Sequence, residues 1–459
     1  MIGGSIDEQG PLREVRARLP GRKWIEPGLP ETGESWLLGN RHSVARESSR
    51  QATRMEMLSR LIEQAPWVWP RHPICFICDP HADTDAFMAS LVAAGVIRKT
   101  GPDDRDFKPT KAARKSRVLI GGDCFDKGPG VLRLLRAIRR VAGSGINLSL
   151  LAGNHDIRVL MGLRAIGTAR NPRSEHFFAR MGPKSIPLLK EIAESYLSGP
   201  KAMRGIPGTR ECRRRLFPSK RWFDGFPMQA EWMMPAAGVE KEMRRMREKV
   251  VQLAEGCEAQ GLSIRKVYAA ALKCQEIFLD PKGEFSWFFR ETRLAHREGT
   301  FLFIHAGIDD RIARVIADHG VEHLNRQFRH RAREDPFEFY YGPLANTIRT
   351  KYRPVDMPLT PWGVDLVNDK GIHAIVHGHR NLLHGQRIML RKGMINFECD
   401  TSLDRNTRAK EGLSGHGASV TIVHPEGHVL GISNDYPGIK VFSPEVLLRG
   451  RKKSSKTRG

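Results

Sequence analysis

From about Pro73 onward, short apolar runs that end in acidic or histidine residues punctuate the chain. Ile74 to Asp79, Arg117 to Asp123 and Ile146 to His155 have the length and β-rich character of strands. Between them, Asp85 to Val96 and Gly130 to Val141 place apolar residues three and four apart, as a helix that buries one face does. Strand and helix in this rhythm predict an α/β unit with a largely buried sheet. Strand character returns at Thr300 to His305, Gly371 to His377 and Gly393 to Asp400. Ala418 to Val423 and His428 to Ser433, joined by the turn Pro425-Glu426-Gly427, predict a final hairpin. Upstream, the pattern is helix-like from Ser43 to Gln64. From Ile157 to Glu298 it is mostly helical, with breaks at Gly199-Pro200, Ile206-Pro207-Gly208 and Met234-Pro235. No repeat of fixed period is visible. The expected organisation is an N-terminal extension (1–70), two halves of one core (71–165 and 300–440), a helical insertion or cap (166–299) and a tail (441–459).

A chain of 459 residues can bury a substantial core, as two compact units or as one large unit with an insertion. Its seven cysteines are odd in number and scattered, so no disulfide framework is implied and a reducing compartment is expected. Cys75 and Cys78 form a C-x-x-C inside an apolar run. Residues three apart on a strand point to opposite faces, so a shared metal or redox pair is not expected there. The first ten residues lack the basic-then-apolar pattern of a secretory signal. No run approaches the roughly 18 apolar residues of a membrane span, and a soluble, cytoplasmic protein is expected.

Net charge changes the picture of partners. At +24 it favours anionic ones: phosphorylated substrates, nucleic acid or acidic lipid surfaces. The excess concentrates in a basic middle segment (Arg213-Arg214-Arg215, Arg244, Arg245, Arg247, Lys249) and in the tail from Arg449 to Gly459, which has no acid. A solvated helix face with a basic tail is the first reading, and a nucleic-acid contact through insert and tail the alternative. The sequence does not specify an oligomeric state.

Five short sites fall at or just after strand ends, where ligands of α/β sheets gather. They are Asp79-Pro80-His81, Gly122-Asp123-Cys124-Phe125-Asp126-Lys127-Gly128-Pro129, Gly153-Asn154-His155-Asp156, His305-Ala306-Gly307 and His377-Gly378-His379-Arg380. A lone histidine at a strand end is usually structural. Jointly, these sites supply Asp, His, Asp, Asn, His and His, a hard-to-borderline donor set suited to manganese, iron or zinc. Two metals held close together need a shared ligand, and a carboxylate bridges best.

This ordered set resembles the calcineurin-like metallophosphoesterases, and within them is most similar to the phosphoprotein phosphatase and diadenosine-tetraphosphatase branch. The resemblance covers about residues 74–165 and 300–435. It implies a four-layer β-sandwich flanked by helices, with a helical insertion. It implies two divalent metal ions, manganese first, with iron, zinc or magnesium as alternatives. Asp79 and His81 would hold the first, Asp123 would bridge, and Asn154, His305 and His379 would complete the second. His155, held by Asp126, would be the general acid, Lys127 would grip phosphate oxygens, and a hydroxide on the dinuclear centre would attack phosphorus. The pattern departs from the family at Cys78 and Ala82, where glycines are expected, and at Lys127, where arginine is usual. His377 would share a strand face with His379 and is read as a supporting residue. The family's second phosphate-binding arginine could be Arg329, Arg349 or Arg353.

Asp83 and Asp85 are expected to cap the helix that follows them. His72, His384, His416, His424 and His428 are read as surface or packing residues, and Asp400-Thr401 as a structural turn. The function implied is hydrolysis of a phosphate monoester, on a phosphoprotein or a small molecule. The alternatives are a phosphoanhydride or phosphodiester hydrolase, for dinucleoside polyphosphates or nucleic acid, and a non-catalytic nucleic-acid-binding module on the same fold.

Overall fold

The computed structural model of the chain describes residues 19, 21–36, 51–167, 170–199 and 201–448. The basic tail from Arg449, and the first part of the helix pattern read from Ser43, lie outside the described residues.

Fourteen strands are present among the described residues. They are β1 (Gly33–Ser35), β2 (Ile74–Ile77), β3 (Ile97–Lys99), β4 (Phe107–Pro109), β5 (Arg117–Ile120), β6 (Asn147–Leu150), β7 (Ala295–Glu298), β8 (Phe301–Ile304), β9 (Ala374–His377), β10 (Arg387–Arg391), β11 (Met394–Glu398), β12 (Ser419–His424), β13 (His428–Ser433) and β14 (Ile439–Phe442). Seven form one sheet in the order β1-β14-β13-β12-β2-β5-β6, and five form another in the order β10-β11-β9-β8-β7. At the centre of the first, β2, β5 and β6 run parallel, with Phe76 beside Leu119 and Leu119 beside Ser149. In the second, β8, β9 and β11 run parallel. The short antiparallel ribbon β3–β4 stands apart.

The two sheets pack face to face through alternate residues of their strands. Ile74, Phe76, Leu119, Phe301, Phe303, Val376, Phe397, Val423 and Phe442 form one buried layer between them. The Phe76 and Phe303 rings meet across it with centroids 5.9 Å apart. The intervening residues Cys75, Ile77, Val118, Ile120, Leu302, Ile304 and Ile375 face outward and are covered by helices. These include Thr84–Ala93 and Val131–Gly143 on one side and Asp310–His319 and Pro361–Asn368 on the other. Helix, sheet, sheet and helix make four layers. Both faces of the inner strands β2, β8, β9 and β11 are buried, which is why these strands read as continuous apolar runs rather than alternating ones. Cys75 and Cys78 fall in different layers, as expected from their spacing.

Each buried large apolar side chain contributes about 1.5–3 kcal/mol. The sheets are therefore held by this interior, and the loops at their strand ends are free to take costly conformations.

Between Ala165 and Arg293 the described chain is helical, with its longest helix at Ala236–Ala259. Helices Ile264–Leu279 and Ser286–Glu291 lean on the core. Their Phe278, Phe288 and Phe289 surround Phe125, with ring centroids 5.4, 5.3 and 5.6 Å away. Strand β7 follows, within the stretch whose sequence pattern is mostly helical. Its four residues, Ala-His-Arg-Glu, carry no strand signal, and antiparallel pairing with β8 makes them one. No described helix is long and apolar enough to cross a membrane.

Candidate active site

Loops from both sheets converge. Asp79 and His81 follow β2, Asp123 to Lys127 follow β5, and Asn154 and His155 open the helix Asn154–Ala165 after β6. From the second sheet come His305, just past β8, and His379, just past β9. Left-handed backbone is concentrated here. Among the described residues, ten non-glycines have positive φ, and seven of them lie in these loops: Asp79, His81, Ala82, Asp123, Asp126, Lys127 and His379. Such conformations cost about 1–3 kcal/mol each and persist only where the surroundings impose them.

Asp156 is one such constraint. Its buried carboxylate accepts from four backbone N–H groups: Gly153 at 2.9 Å, Asp123 and Cys124 at 2.8 Å, and Phe125 at 3.2 Å. It thus ties the loop after β5 to the loop after β6. Close approach explains two glycines. A Cβ on Gly153 would lie 2.1 Å from the Asp123 backbone nitrogen, and one on Gly378 would lie 2.1 Å from Asp79 Oδ2.

The histidine rings are oriented from behind. His81 Nδ1 donates to the Phe125 carbonyl at 3.1 Å, and His305 Nδ1 to the Gly121 carbonyl at 2.8 Å. The His379 ring hydrogen-bonds the backbone of Arg349, and its Nε2 is buried without a partner. Each ring therefore turns an unprotonated Nε2 inward, the tautomer a metal ligand needs. His81 Nε2 and His305 Nε2 lie 3.7 and 3.6 Å from Asp123 Oδ2, too far for a hydrogen bond. Ligand atoms of Asp79, His81 and Asp123 lie within 4.8 Å of one another, as do those of Asp123, His305 and His379. The two triads share Asp123. Asn154 Oδ1 stands 3.3 Å from His305 Nε2.

Burial pushes the Asp79 carboxyl well above its usual range, and the neighbouring Asp400 and Asp123 push it further. Buried, mutually repelling carboxylates facing lone-pair nitrogens fit divalent cations, which would neutralise the first and be ligated by the second.

His155 donates Nδ1–H to Asp126 Oδ2 at 2.8 Å, and its Nε2 lies 3.9 Å from Asp123 Oδ2. Burial, then Arg158, lowers the His155 pKa, while burial raises Asp126 to about 7. Lys127 is differently disposed from a free phosphate grip. Its Nζ is 2.7 Å from His81 Nε2, an ammonium standing on a ligand nitrogen.

The structure separates His377 from His379. β9 ends at His377, and positive φ at His379 turns the chain, so the two do not share a face. His377 is fully buried near Tyr352 and beside Glu398 on the adjacent strand. Glu398 binds Arg380 at 3.1 Å, together with Arg387 and Arg391. Of the three candidate arginines, Arg349 lines a cavity that begins at Asn154. Arg353 is exposed and paired with Asp356, and Arg329 lines a different cavity near Trp287. Arg158 escaped sequence reasoning, although it lies four residues after Asn154 and so on the same helix face. Asp83 caps its helix, accepting from the Ala86 N–H at 3.2 Å, and also binds Arg405 at 2.9 Å.

No family model matches the chain, and no curated protein matches it by sequence. Solved structures that the chain matches include a cold-active protein tyrosine phosphatase (15% identity, 89% of each chain covered, TM-score 0.43). Another is a cold-active protein-tyrosine phosphatase from a psychrophilic Shewanella species (13% identity, 83% of each chain, TM-score 0.39). A third is a protein serine/threonine phosphatase from Saccharomyces cerevisiae (13% identity, 85% of this chain and 87% of that one, TM-score 0.34). These overall similarities are low.

Proposed function

We propose that this chain is a calcineurin-like metallophosphoesterase that hydrolyses phosphate monoesters at a dinuclear metal centre. The observation that carries the reading is the pair of triads joined at Asp123, with His81, His305 and His379 each held from behind so that Nε2 faces a carboxylate. Asp79 and His81 would hold one divalent cation, Asn154, His305 and His379 the other, and Asp123 both. Bound there, such ions supply Lewis acidity toward phosphoryl oxygens and an acidified water as nucleophile.

The chain's own residues do the rest. Attack at phosphorus breaks the bond to the leaving oxygen, which needs a proton. His155 and Asp126 form a buried pair that retains one extra proton up to about neutral pH, since Asp126 is raised to about 7. With that proton on Nε2, His155 delivers it to the leaving oxygen, and Asp126 stabilises the imidazolium meanwhile. Arg158 and Arg349 border the space in front of Asn154 and supply fixed positive charge for phosphoryl oxygens. Lys127 must leave His81 Nε2 when a cation binds there, which frees its ammonium for the substrate.

The test is hydrolysis of p-nitrophenyl phosphate and phenyl phosphate by metal-stripped protein refilled with Mn, Zn, Fe or Mg. Asp123→Asn should abolish turnover of both esters. His155→Ala should lose on the order of 10²–10⁴-fold on phenyl phosphate. It should lose much less on the nitrophenyl ester, whose leaving group needs no proton. Equal losses on both would remove His155 from the acid's role, and silence with every metal would reject the phosphatase reading.

A further inference from the structure

A cavity of about 500 Å³ opens from Asn154, one of the residues assigned to the metals, and runs between the core and the helical insertion. Six basic residues line it: Arg158, Arg180, Lys184, Arg245, Lys249 and Arg349. No acid is among its lining residues. Glu242, on the helix Ala236–Ala259, is already taken by Arg180 at 3.1 Å and by the Tyr341 hydroxyl at 3.1 Å. Among the described residues, Lys249 Nζ finds only a carbonyl, that of Arg180, at 2.7 Å. Burial, then Arg180 and Arg158, lower the Lys249 pKa to about 7, outweighing Glu242.

Basic residues gathered in a partly buried space repel one another when charged, and an anion would relieve them. The cavity has the size of a small-molecule site rather than of a macromolecular groove. Of the other basic residues of the insertion, Arg214 and Arg215 pair with Glu211, and Arg247 lies over the Phe223 ring at 4.6 Å.

We propose that this cavity is a second phosphate subsite, and that the natural substrate is a small molecule carrying at least two phosphoryl groups. One would lie at the Asp and His centre and the other among Arg180, Arg245 and Lys249. This rests on the phosphoesterase reading above and adds the substrate class.

The test compares kcat/KM for fructose 1,6-bisphosphate and fructose 6-phosphate, used as probes on the metal-loaded full chain. The wild type should prefer the bisphosphate at least tenfold. Lys249→Gln and Arg245→Gln should each shrink that ratio severalfold, and the pair together should bring it near one. Arg245 is exposed at the cavity mouth, so its substitution does not threaten folding. Arg213→Gln, exposed on another helix, should leave the ratio unchanged. No preference in the wild type, or an unchanged ratio in both cavity variants, overturns the inference while leaving the phosphatase reading intact. If neither ester is turned over, that reading fails first, and calorimetric binding decides the subsite. Bisphosphate bound more tightly than monophosphate, with the difference lost in the two variants, sustains it; equal binding rejects it.

Discussion

Asp156 shows what a motif hides at the scale of one residue. Gly153-Asn154-His155-Asp156 stands out in the sequence, but only three-dimensional contact shows that its last member holds another loop. Its partners are backbone N–H groups of Asp123, Cys124 and Phe125, some 30 positions earlier, and backbone donors leave no mark in a sequence. Asp156→Ala would strand buried donors at about 1–3 kcal/mol each. Metal binding should therefore be lost, although Asp156 belongs to neither triad, and titration calorimetry against the wild type checks this. Lys249 gives a second residue-scale prediction, with a definite sign. Unfolded, it titrates near 10.4; folded, near 7, because burial and then Arg180 and Arg158 outweigh Glu242, with Lys184 adding to the repulsion. Between those values the unfolded chain holds a proton that the folded one lacks, so this group makes stability rise with pH there. Below 7 the buried ammonium opposes folding in full. Lys249→Met should thus gain up to about 4 kcal/mol more at pH 6 than at pH 10, as denaturant unfolding at the two pH values would show.

Elements were legible where both faces of a strand are buried, and less so elsewhere. The runs at Ile74, Arg117, Thr300, Gly371 and Gly393 became β2, β5, β8, β9 and β11, because continuous apolar sequence bounded by turns has few other solutions. The hairpin read around Pro425-Glu426-Gly427 is β12–β13, in the register His424 opposite His428. By contrast, β7 is four residues long and gains its identity from pairing with β8. The edge strand β1 is shorter still and exists by pairing with β14. Composition could not tell whether the helical insertion hangs free or bears load. Phe125, between the Asp123 and Asp126 positions, is enclosed by Phe278, Phe288 and Phe289. The insertion therefore braces the loop that would carry the shared carboxylate. Phe278→Ala should destabilise the fold by about 3–5 kcal/mol and also weaken metal binding, read by denaturant unfolding together with metal content after dialysis. A variant that loses stability yet keeps full metal affinity would show that the brace serves packing alone.

For the whole molecule, the distribution of the donors between the sheets matters most. Asp79, His81, Asp123 and Asn154 issue from the seven-stranded sheet, and His305 and His379 from the five-stranded one. The order of motifs along the chain could reveal the donors, but not that the sandwich closes so that Asp123 meets both groups. That depends on the aromatic layer of Phe76, Phe303, Phe397 and Phe442, which reads in sequence as ordinary core. A cation held by Asp123, His305 and His379 would cross-link the two sheets at their edge. Without it, the neighbouring buried carboxyls of Asp79 and Asp123 and the partnerless Nε2 of His379 would weaken that edge. Ligand linkage sets the size of the effect: at a free metal concentration a thousand times the dissociation constant, binding adds about 4 kcal/mol. Metal-stripped protein should therefore unfold at a clearly lower temperature than reloaded protein. Amide exchange should speed up selectively in the loops after β5, β8 and β9 rather than in the interior strands. Asp123→Asn should lose most of this metal-dependent increment. A uniform rise in exchange across both sheets would instead place the metals in general stability, and an unchanged melting temperature would argue against any bridging role for Asp123.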